Sequence, residues 1–342
     1  MSRDLGRLNA LPRARLGHTP TPLEAMPNLE ARIGDVRLTV KRDDCTGLAL
    51  GGNKVRQLEF YFGEAQAKDA DTILITGAVQ SNFARLTAAA ARKLGMDCHI
   101  QLEERVPKTD LAYRNSGNVL LDRMLGASLH SYSEGEDEAG ADRRLGEIAA
   151  ELESRGRRPY IIHLAPGHKP LGALGYVVAA QETLTQMAEQ GRAFDEVVVP
   201  SGSGNTHAGL LFGLRALGSK VRVTGICVRR DAAAQRPRLR TRCEEIGELL
   251  GLGPVVGDED IVLEDRFLAP GYGQLNEAAV GAIKMAAECE GLILDPVYTA
   301  KTMAGFLDRA QTGGADRSLL FIHTGGTPAV FGYVTALTDA LA

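Results

Sequence analysis

Cysteine is scarce in this chain: five residues in 342, at Cys45, Cys98, Cys227, Cys243 and Cys289, with no Cys-x-x-Cys pair among them. An odd, scattered set supports neither a disulfide framework nor a zinc knuckle, and a reducing cytoplasm suits it. Long apolar runs are missing too. Charged or polar residues interrupt every hydrophobic stretch well short of the ~18–20 residues that cross a bilayer, which excludes a membrane-spanning helix. Nor is positive charge in excess. Against 43 Asp and Glu stand 39 Lys and Arg, a formal net charge of −4, whereas a nucleic-acid binder concentrates basic residues. Arg3, Arg7, Arg13 and Arg15 do not make a transit peptide, because Asp4 interrupts them, no apolar segment follows and Pro12 breaks an amphipathic helix. They read as a short arm packed on the protein. No repeat and no Pro-, Ser- or charge-rich linker divides the sequence.

Glycine, by contrast, is abundant: 39 residues, roughly 11% against an ordinary ~7%. With 44% hydrophobic residues there is ample material for a core, and the length suits two domains of ~150 residues. Short β-branched runs at Val36–Val40, Thr72–Thr76, Asp97–Leu102, Ser128–Tyr132, Pro159–Leu164, Glu196–Pro200, Arg222–Val228 and Ser318–His323 read as strands. Helical patterns at Lys54–Ala67, Asn82–Leu94, Arg143–Arg155, Leu174–Glu189 and His207–Leu217 alternate with them. Such alternation predicts an α/β protein: two domains with mostly parallel, twisted sheets flanked by helices. Without a linker, the chain is expected to pass between the domains more than once and to leave a cleft at the crossing.

In a parallel sheet, ligands gather beyond the carboxyl ends of the strands, where helix N-termini point inward. The run Val197-Val198-Val199-Pro200-Ser201-Gly202-Ser203-Gly204-Asn205-Thr206 leads from strand through a small-residue loop into a helix, a place where backbone N–H groups converge on a phosphate. A dinucleotide fingerprint is not met, since His207 occupies its third glycine position. Gly47 to Val55 is not a nucleotide-triphosphate loop either. Its Lys54 comes one place late, and Val55 stands where a magnesium-binding hydroxyl belongs. Lys54 instead follows Gly51, Gly52 and Asn53 and opens a helix with Leu58, Phe62 and Ala65 on one apolar face. A desolvated lysine beside a phosphate pocket suits Schiff-base chemistry with an aldehyde cofactor, and pyridoxal 5′-phosphate (PLP) carries both groups.

From Lys41-Arg42-Asp43-Asp44-Cys45-Thr46-Gly47 through Gly51-Gly52-Asn53-Lys54-Val55-Arg56, the chain resembles the D-cysteine desulfhydrase and 1-aminocyclopropane-1-carboxylate deaminase family of the tryptophan-synthase-β-like group. Gln80-Ser81-Asn82, Leu171 to Tyr176, Ser203 to Gly209, Ala269 to Gly273, Leu294 to Thr299 and His323 to Gly326 continue it in the family's order. The resemblance implies PLP in an interdomain cleft, with residues 1–54 and 166–342 as a large cofactor-binding domain and 55–165 as a small α/β one. It implies Lys54 as the lysine that carries the cofactor and moves the Cα proton. Asn82 would bond the cofactor's 3′-oxygen, and Gly202, Ser203, Gly204, Asn205 and Thr206 would hold its phosphate. Gln80, Ser81 and Asn82 would receive the substrate carboxylate, Ser81 also serving as a helix cap. Tyr272 and Tyr298 would act as acid or orient the leaving group. Thr299, neutral where the deaminase branch carries Glu, would exchange a hydrogen bond with the pyridine nitrogen, and Thr324 matches the desulfhydrase branch. No metal is called for.

Two departures bear on the substrate. Phe83 stands where the family usually has a polar residue, and Ala165-Pro166-Gly167-His168-Lys169-Pro170 replaces a smaller loop. If His168 and Lys169 face the pocket, they favour a substrate with a second anionic group. The expected activity is that of a cytoplasmic, homodimeric carbon–sulfur lyase acting by α,β-elimination, with D-cysteine as the default substrate and pyruvate, sulfide and ammonia as products. L-cysteate sulfo-lyase and cyclopropane-carboxylate deaminase stand beside it, as does a cofactor-bearing binding protein without turnover.

Overall fold

The computed structural model describes residues 3–164 and 167–341. Ala165 and Pro166, where the expected domain boundary falls, lie outside the described residues. Ten strands form two sheets: β1 (Leu23–Ala25), β2 (Val36–Arg42), β3 (Thr72–Ala78), β4 (Asp97–Glu103), β5 (Ser128–Tyr132), β6 (Pro159–Ile162), β7 (Glu196–Ser201), β8 (Arg222–Cys227), β9 (Val262–Glu264) and β10 (Arg317–His323). The larger sheet runs β1-β2-β10-β7-β8-β9, and the smaller β5-β4-β3-β6. All pairings are parallel except that of the short edge strand β1 with β2. Every strand read from the sequence is present. The two that were not, β1 and β9, have three residues each, too few for a period to show.

Central strands are buried on both faces: each residue of β3 and of β7 is inaccessible, as expected where helices cover both sides of a parallel sheet. The Lys54–Ala67 helix departs from the amphipathic pattern read for it. Val55 to Gly63 are all buried, because the helix is packed on several sides at once. A Cβ on its Gly63 would lie 2.2 Å from the Pro12 carbonyl oxygen, and one on Gly175 of the Leu171–Glu189 helix 2.2 Å from that of Arg56. The N-terminal arm does pack on the protein: Arg3 N–H donates to the Ala216 carbonyl at 2.7 Å, and Arg13 pairs with Glu59.

One buried ion network holds the start of that helix. The Arg56 guanidinium grips Asp43, just after β2, at 2.8 and 2.9 Å, and Glu182 of the Leu171–Glu189 helix at 2.8 and 2.9 Å. Tyr176 donates to Asp43, and Lys41 pairs with Glu182. Removing one partner from such a set leaves a charge stranded away from water. The network therefore fixes the segment that carries Lys54.

Candidate active site

A cavity with about 800 Å³ of empty space lies where the carboxyl ends of the two sheets meet. Ser81, Asn82 and Phe83 enter it after β3, Arg105 after β4 and Leu164 after β6. Gly202 to Gly204 and Thr206 follow β7, Arg229 follows β8, and Thr324 and Gly325 follow β10. Lys54, Tyr272 and Tyr298 complete the lining. The cavity thus gathers three cationic side chains and, among the described residues, no carboxylate.

Lys54 is the first residue of its helix, presented by a turn in which Gly51 and Gly52 have φ of +65° and +131°. A Cβ on Gly51 would sit 2.0 Å from the Asp44 carbonyl oxygen, so only glycine closes this turn. The Arg85 guanidinium donates to the Gly51 carbonyl at 2.9 Å, and Asn53 N–H donates to that of Thr324 at 3.0 Å. Desolvation lowers the Lys54 ammonium from its ordinary 10.5 to about 8. Its Nζ lies 5.0 Å from the centroid of the Phe83 ring. The substitution at Phe83 therefore places an apolar ring against the amine.

Thr206 shows how the turn after β7 suits an anion. Its hydroxyl oxygen accepts from Asn53 Nδ2 at 2.9 Å and Gln57 Nε2 at 2.8 Å. With both lone pairs engaged, the hydroxyl proton is left to donate into the cavity. Gly204 (φ +101°) precedes the Asn205–Ala216 helix, and no side chain caps that helix, so its first N–H groups are open to a bound anion. The donors around Thr206 fit a phosphate, and Lys54 beside them fits the aldehyde of PLP. Asn205 does not contribute its side chain, which turns toward Gly172 and Tyr61. Only its main chain can serve the loop.

Ser81 caps the Asn82–Lys93 helix, its Oγ accepting from Ala84 N–H at 3.1 Å, and still lines the cavity. Asn82 is oriented from behind: its Oδ1 accepts from Asn118 Nδ2 at 2.9 Å, leaving its own Nδ2 to donate. Asn118 also donates to the Gln80 carbonyl at 3.0 Å, while Gln80 Oε1 accepts the Asn118 N–H. The Gln80 amide donates to the carbonyls of Tyr113 and Ser116. Gln80 is thus a buried support and not a cavity-lining residue.

Tyr272 and Tyr298 meet edge to face with their hydroxyl oxygens 2.8 Å apart. Burial raises both phenols. Tyr298 is carried well above 10 because Tyr272 adds to the effect, whereas Arg105 and the bond from Tyr298 oppose the rise at Tyr272. The loop of Tyr272 is pinned by Lys301, whose Nζ donates to the carbonyls of Leu268 at 2.6 Å and Gly271 at 2.7 Å.

Besides Gln80, three expected site residues lie outside the cavity. Thr299 is buried and donates its hydroxyl to Asp295 Oδ1 at 2.8 Å while accepting from Asp295 N–H at 2.6 Å. It is engaged in starting its helix and does not line the cavity. His168 sits by Asp142 and Lys169 by Glu64, both outside the cavity. The cationic groups that do face the cavity, Arg105 and Arg229, carried no motif in the sequence. Each follows a strand of the parallel sheets, and that position was the available signal.

A family model described as pyridoxal-phosphate dependent enzyme matches residues 14–325. The chain belongs to that family. Its cofactor is PLP, which agrees with the donors gathered around Lys54 and Thr206. Among curated relatives, a D-cysteine desulfhydrase of Klebsiella pneumoniae subsp. pneumoniae is 41% identical and one of Salmonella choleraesuis 42%, each over 96% of this chain and 98% of the relative. A crystal structure of a homologue of ACC deaminase superposes with a TM-score of 0.87 at 37% identity, covering 99% of this chain and all of the other. O-ureido-L-serine synthase, at 19% identity and a TM-score of 0.69, shares the fold. Among the described residues, no helix is long and apolar enough to cross a membrane.

Proposed function

We propose that this chain is a PLP-dependent lyase that eliminates the β-substituent of a small β-substituted alanine, with D-cysteine as default substrate and pyruvate, sulfide and ammonia as products. The observation that carries the reading is Lys54, an amine lowered to about 8, in a cavity with two bonded phenols and no carboxylate. Bound PLP would supply the electron sink for charge developing at Cα. Lys54 would hold the cofactor and then, as a neutral amine, take the Cα proton. Ser81 and the N–H groups opening the Asn82–Lys93 helix suit the substrate carboxylate, and Asn82, held by Asn118, would offer its amide donor to the cofactor. The open N–H groups after Gly204 and the Thr206 hydroxyl suit its phosphate. Tyr272 would protonate the leaving group, and the Phe83 ring, 5.0 Å from Lys54 Nζ, would help to keep water from the amine. The reading takes with it a division into domains 1–54 plus 166–342 and 55–165, a homodimer and a cytoplasmic setting.

A second reading has its own support. Arg105 and Arg229 both line the cavity, and the Arg229 Nε is buried without a partner among the described residues. Guanidinium groups at this wall favour an anionic β-substituent such as the sulfonate of cysteate. Sulfide, sulfite and keto acid released from D-cysteine, L-cysteate and 1-aminocyclopropane-1-carboxylate decide between them. Sulfide dominates on the first reading, and sulfite on the second. Absence of a keto acid from every substrate refutes both and leaves a binding protein. The absorption band of the lysine-bound cofactor, lost in Lys54→Ala, checks the anchor independently.

A further inference from the structure

Successive carbonyls of the loop after β7, from Ser201 to Gly204, are each taken by a donor. That of Ser201 accepts from Val228 N–H at 3.2 Å and that of Gly204 from Ala208 N–H at 2.8 Å, both within the main chain. The carbonyls between them are served by side chains of the Ala232–Leu250 helix. Gln235 Nε2 donates to the Gly202 carbonyl at 3.1 Å, and Arg238 Nε to that of Ser203 at 3.3 Å. The second hydrogen of the Gln235 amide goes to Ser201 Oγ at 3.0 Å, and His207 Nδ1 lies 3.2 Å from the same oxygen. Gln235 is fully buried. The helix is itself fixed where Gln235 leaves it: Asp231 accepts from Ala234 N–H and Asp265 from Ala232 N–H, each at 2.8 Å.

These contacts decide which way the peptides face. In a trans peptide the C=O and N–H bonds point in opposite directions, and the loop holds no cis bond. Drawing the Gly202 carbonyl to Gln235 turns Ser203 N–H the other way, and drawing the Ser203 carbonyl to Arg238 does the same for Gly204 N–H. Gly202, Ser203 and Gly204 line the active-site cavity, whereas no residue of the Ala232–Leu250 helix does. The two N–H groups are thus turned away from the helix, and among the described residues neither has a main-chain acceptor. We propose that Gln235 and Arg238 are positioning residues for the cofactor phosphate, acting from outside the cavity by fixing the two peptide planes whose N–H groups would bind it. The inference rests on the reading that this loop receives the phosphate of PLP. Arg238 has a second attachment: it pairs at 3.1 Å with Glu138, which opens the Glu138–Ser154 helix packed on the smaller sheet. The Gly204 peptide is therefore tied to both sheets, and Gln235 reaches the loop across 33 positions of sequence.

The test compares PLP with pyridoxal, which lacks the phosphate, on the full chain freed of cofactor. Equilibrium dialysis gives both affinities, and the absorption band of the lysine-bound aldehyde reports that each variant keeps a folded site. Gln235→Met and Arg238→Met should each weaken PLP by ~10-fold or more through the lost donor, and leave pyridoxal within ~2-fold of the wild type. The phosphorus NMR resonance of bound PLP, which follows the hydrogen bonds to its phosphate, should shift in both variants. Arg240→Ala serves as control, because Arg240 lies on the exposed side of the same helix and pairs with Asp258. Its two affinities should match the wild type, and a selective loss of PLP there overturns the inference. Thr206→Val tests the reading beneath. If it alone loses PLP selectively, while Gln235→Met and Arg238→Met keep the wild-type ratio, the inference is overturned and that reading stands. If all three keep the ratio, the loop does not hold the phosphate and both fall. Equal losses of PLP and pyridoxal in Gln235→Met and Arg238→Met also overturn the inference, since the side chains then hold the fold and not the peptide planes.

Discussion

The state of Lys54 in the cofactor-free protein is the sharpest point on which the site can be tested. Burial lowers its ammonium from 10.5 to about 8, and no counter-ion offsets the effect. At pH 7 a group of pKa ~8 is ~9% neutral, whereas one of pKa ~10.5 is ~0.03% neutral, a difference of roughly 300-fold. Competitive acylation of the cofactor-free enzyme between pH 6 and 11, with the Lys54 peptide quantified by mass spectrometry, should give a midpoint near 8. Exposed lysines in the same digest should titrate near ~10.4 and serve as the reference. The midpoint is the quantity to read, because a less basic amine is also a weaker nucleophile.

Stability carries the same information with a definite sign. Since the folded state lowers the pKa, the unfolded chain binds more protons between about 8 and 10.5, and stability rises with pH across that window. Below pH 8 the full cost of about 3 kcal/mol is present. Lys54→Met should therefore melt higher than the wild type at pH 7 when both lack cofactor, and the difference should vanish by pH ~10.5. A labelling midpoint at 10 or above, or a Lys54→Met chain no more stable at pH 7, would refute the reasoning.

Phe83→Ala should move the Lys54 labelling midpoint upward, because water replaces a ring 5.0 Å from the amine; an unmoved midpoint would deny the ring its desolvating role. Asn118→Ala leaves Asn82 Oδ1 without the donor that orients it, and at ~1–3 kcal/mol for a stranded buried group cofactor affinity should fall ~5- to 150-fold. Equilibrium dialysis of PLP measures this, with the Lys54 labelling midpoint of the cofactor-free variant expected to stay near that of the wild type. Gly175→Ala forces a methyl to 2.2 Å from the Arg56 carbonyl oxygen and 2.9 Å from Gln57 N. These are backbone atoms that cannot swing away, so overpacking should cost about 2–3 kcal/mol, read as a fall in melting temperature.

What the sequence makes legible is what lies close along the chain. The turn before Lys54, the loop after β7 and the Ser81 cap are each set by a few consecutive residues, and each is found where the pattern puts it. The supports are another matter. Asn118 reaches Asn82 across 36 positions, and Glu182 reaches Arg56 across 126. No spacing rule connects such pairs, because the sheet order brings them together. The same limit explains His168, which is near the Leu171 segment in sequence yet sits by Asp142 and does not line the cavity. A long helix escaped as well: Ala232–Leu250, which contains Pro237, is not among the helical patterns read from the sequence.

Charge is where the gap between sequence and site has the largest chemical consequence. The whole chain carries −4, which by itself suggests nothing about an anionic ligand. Yet the cavity collects Lys54, Arg105 and Arg229 and no carboxylate, a local excess opposite in sign to the total. The acids that pair with these arginines are not among the residues lining the cavity: Glu103 holds Arg105 at 2.7 Å, and Glu138 and Glu136 hold Arg229 at 3.0 Å each. PLP brings a phosphate and an amino acid brings a carboxylate, so one cation and two helix N-termini already suffice for the common chemistry of the family. Two further guanidinium groups exceed that need. A substrate whose departing group is itself charged would use them, whereas thiolate departure from D-cysteine would not. Arg229→Ala therefore separates the two readings within one measurement: turnover of L-cysteate should fall by ~10-fold or more through the lost charge-assisted contact, while D-cysteine turnover stays within about 2-fold. Equal losses on both substrates would mean that Arg229 holds the wall in place and recognises neither.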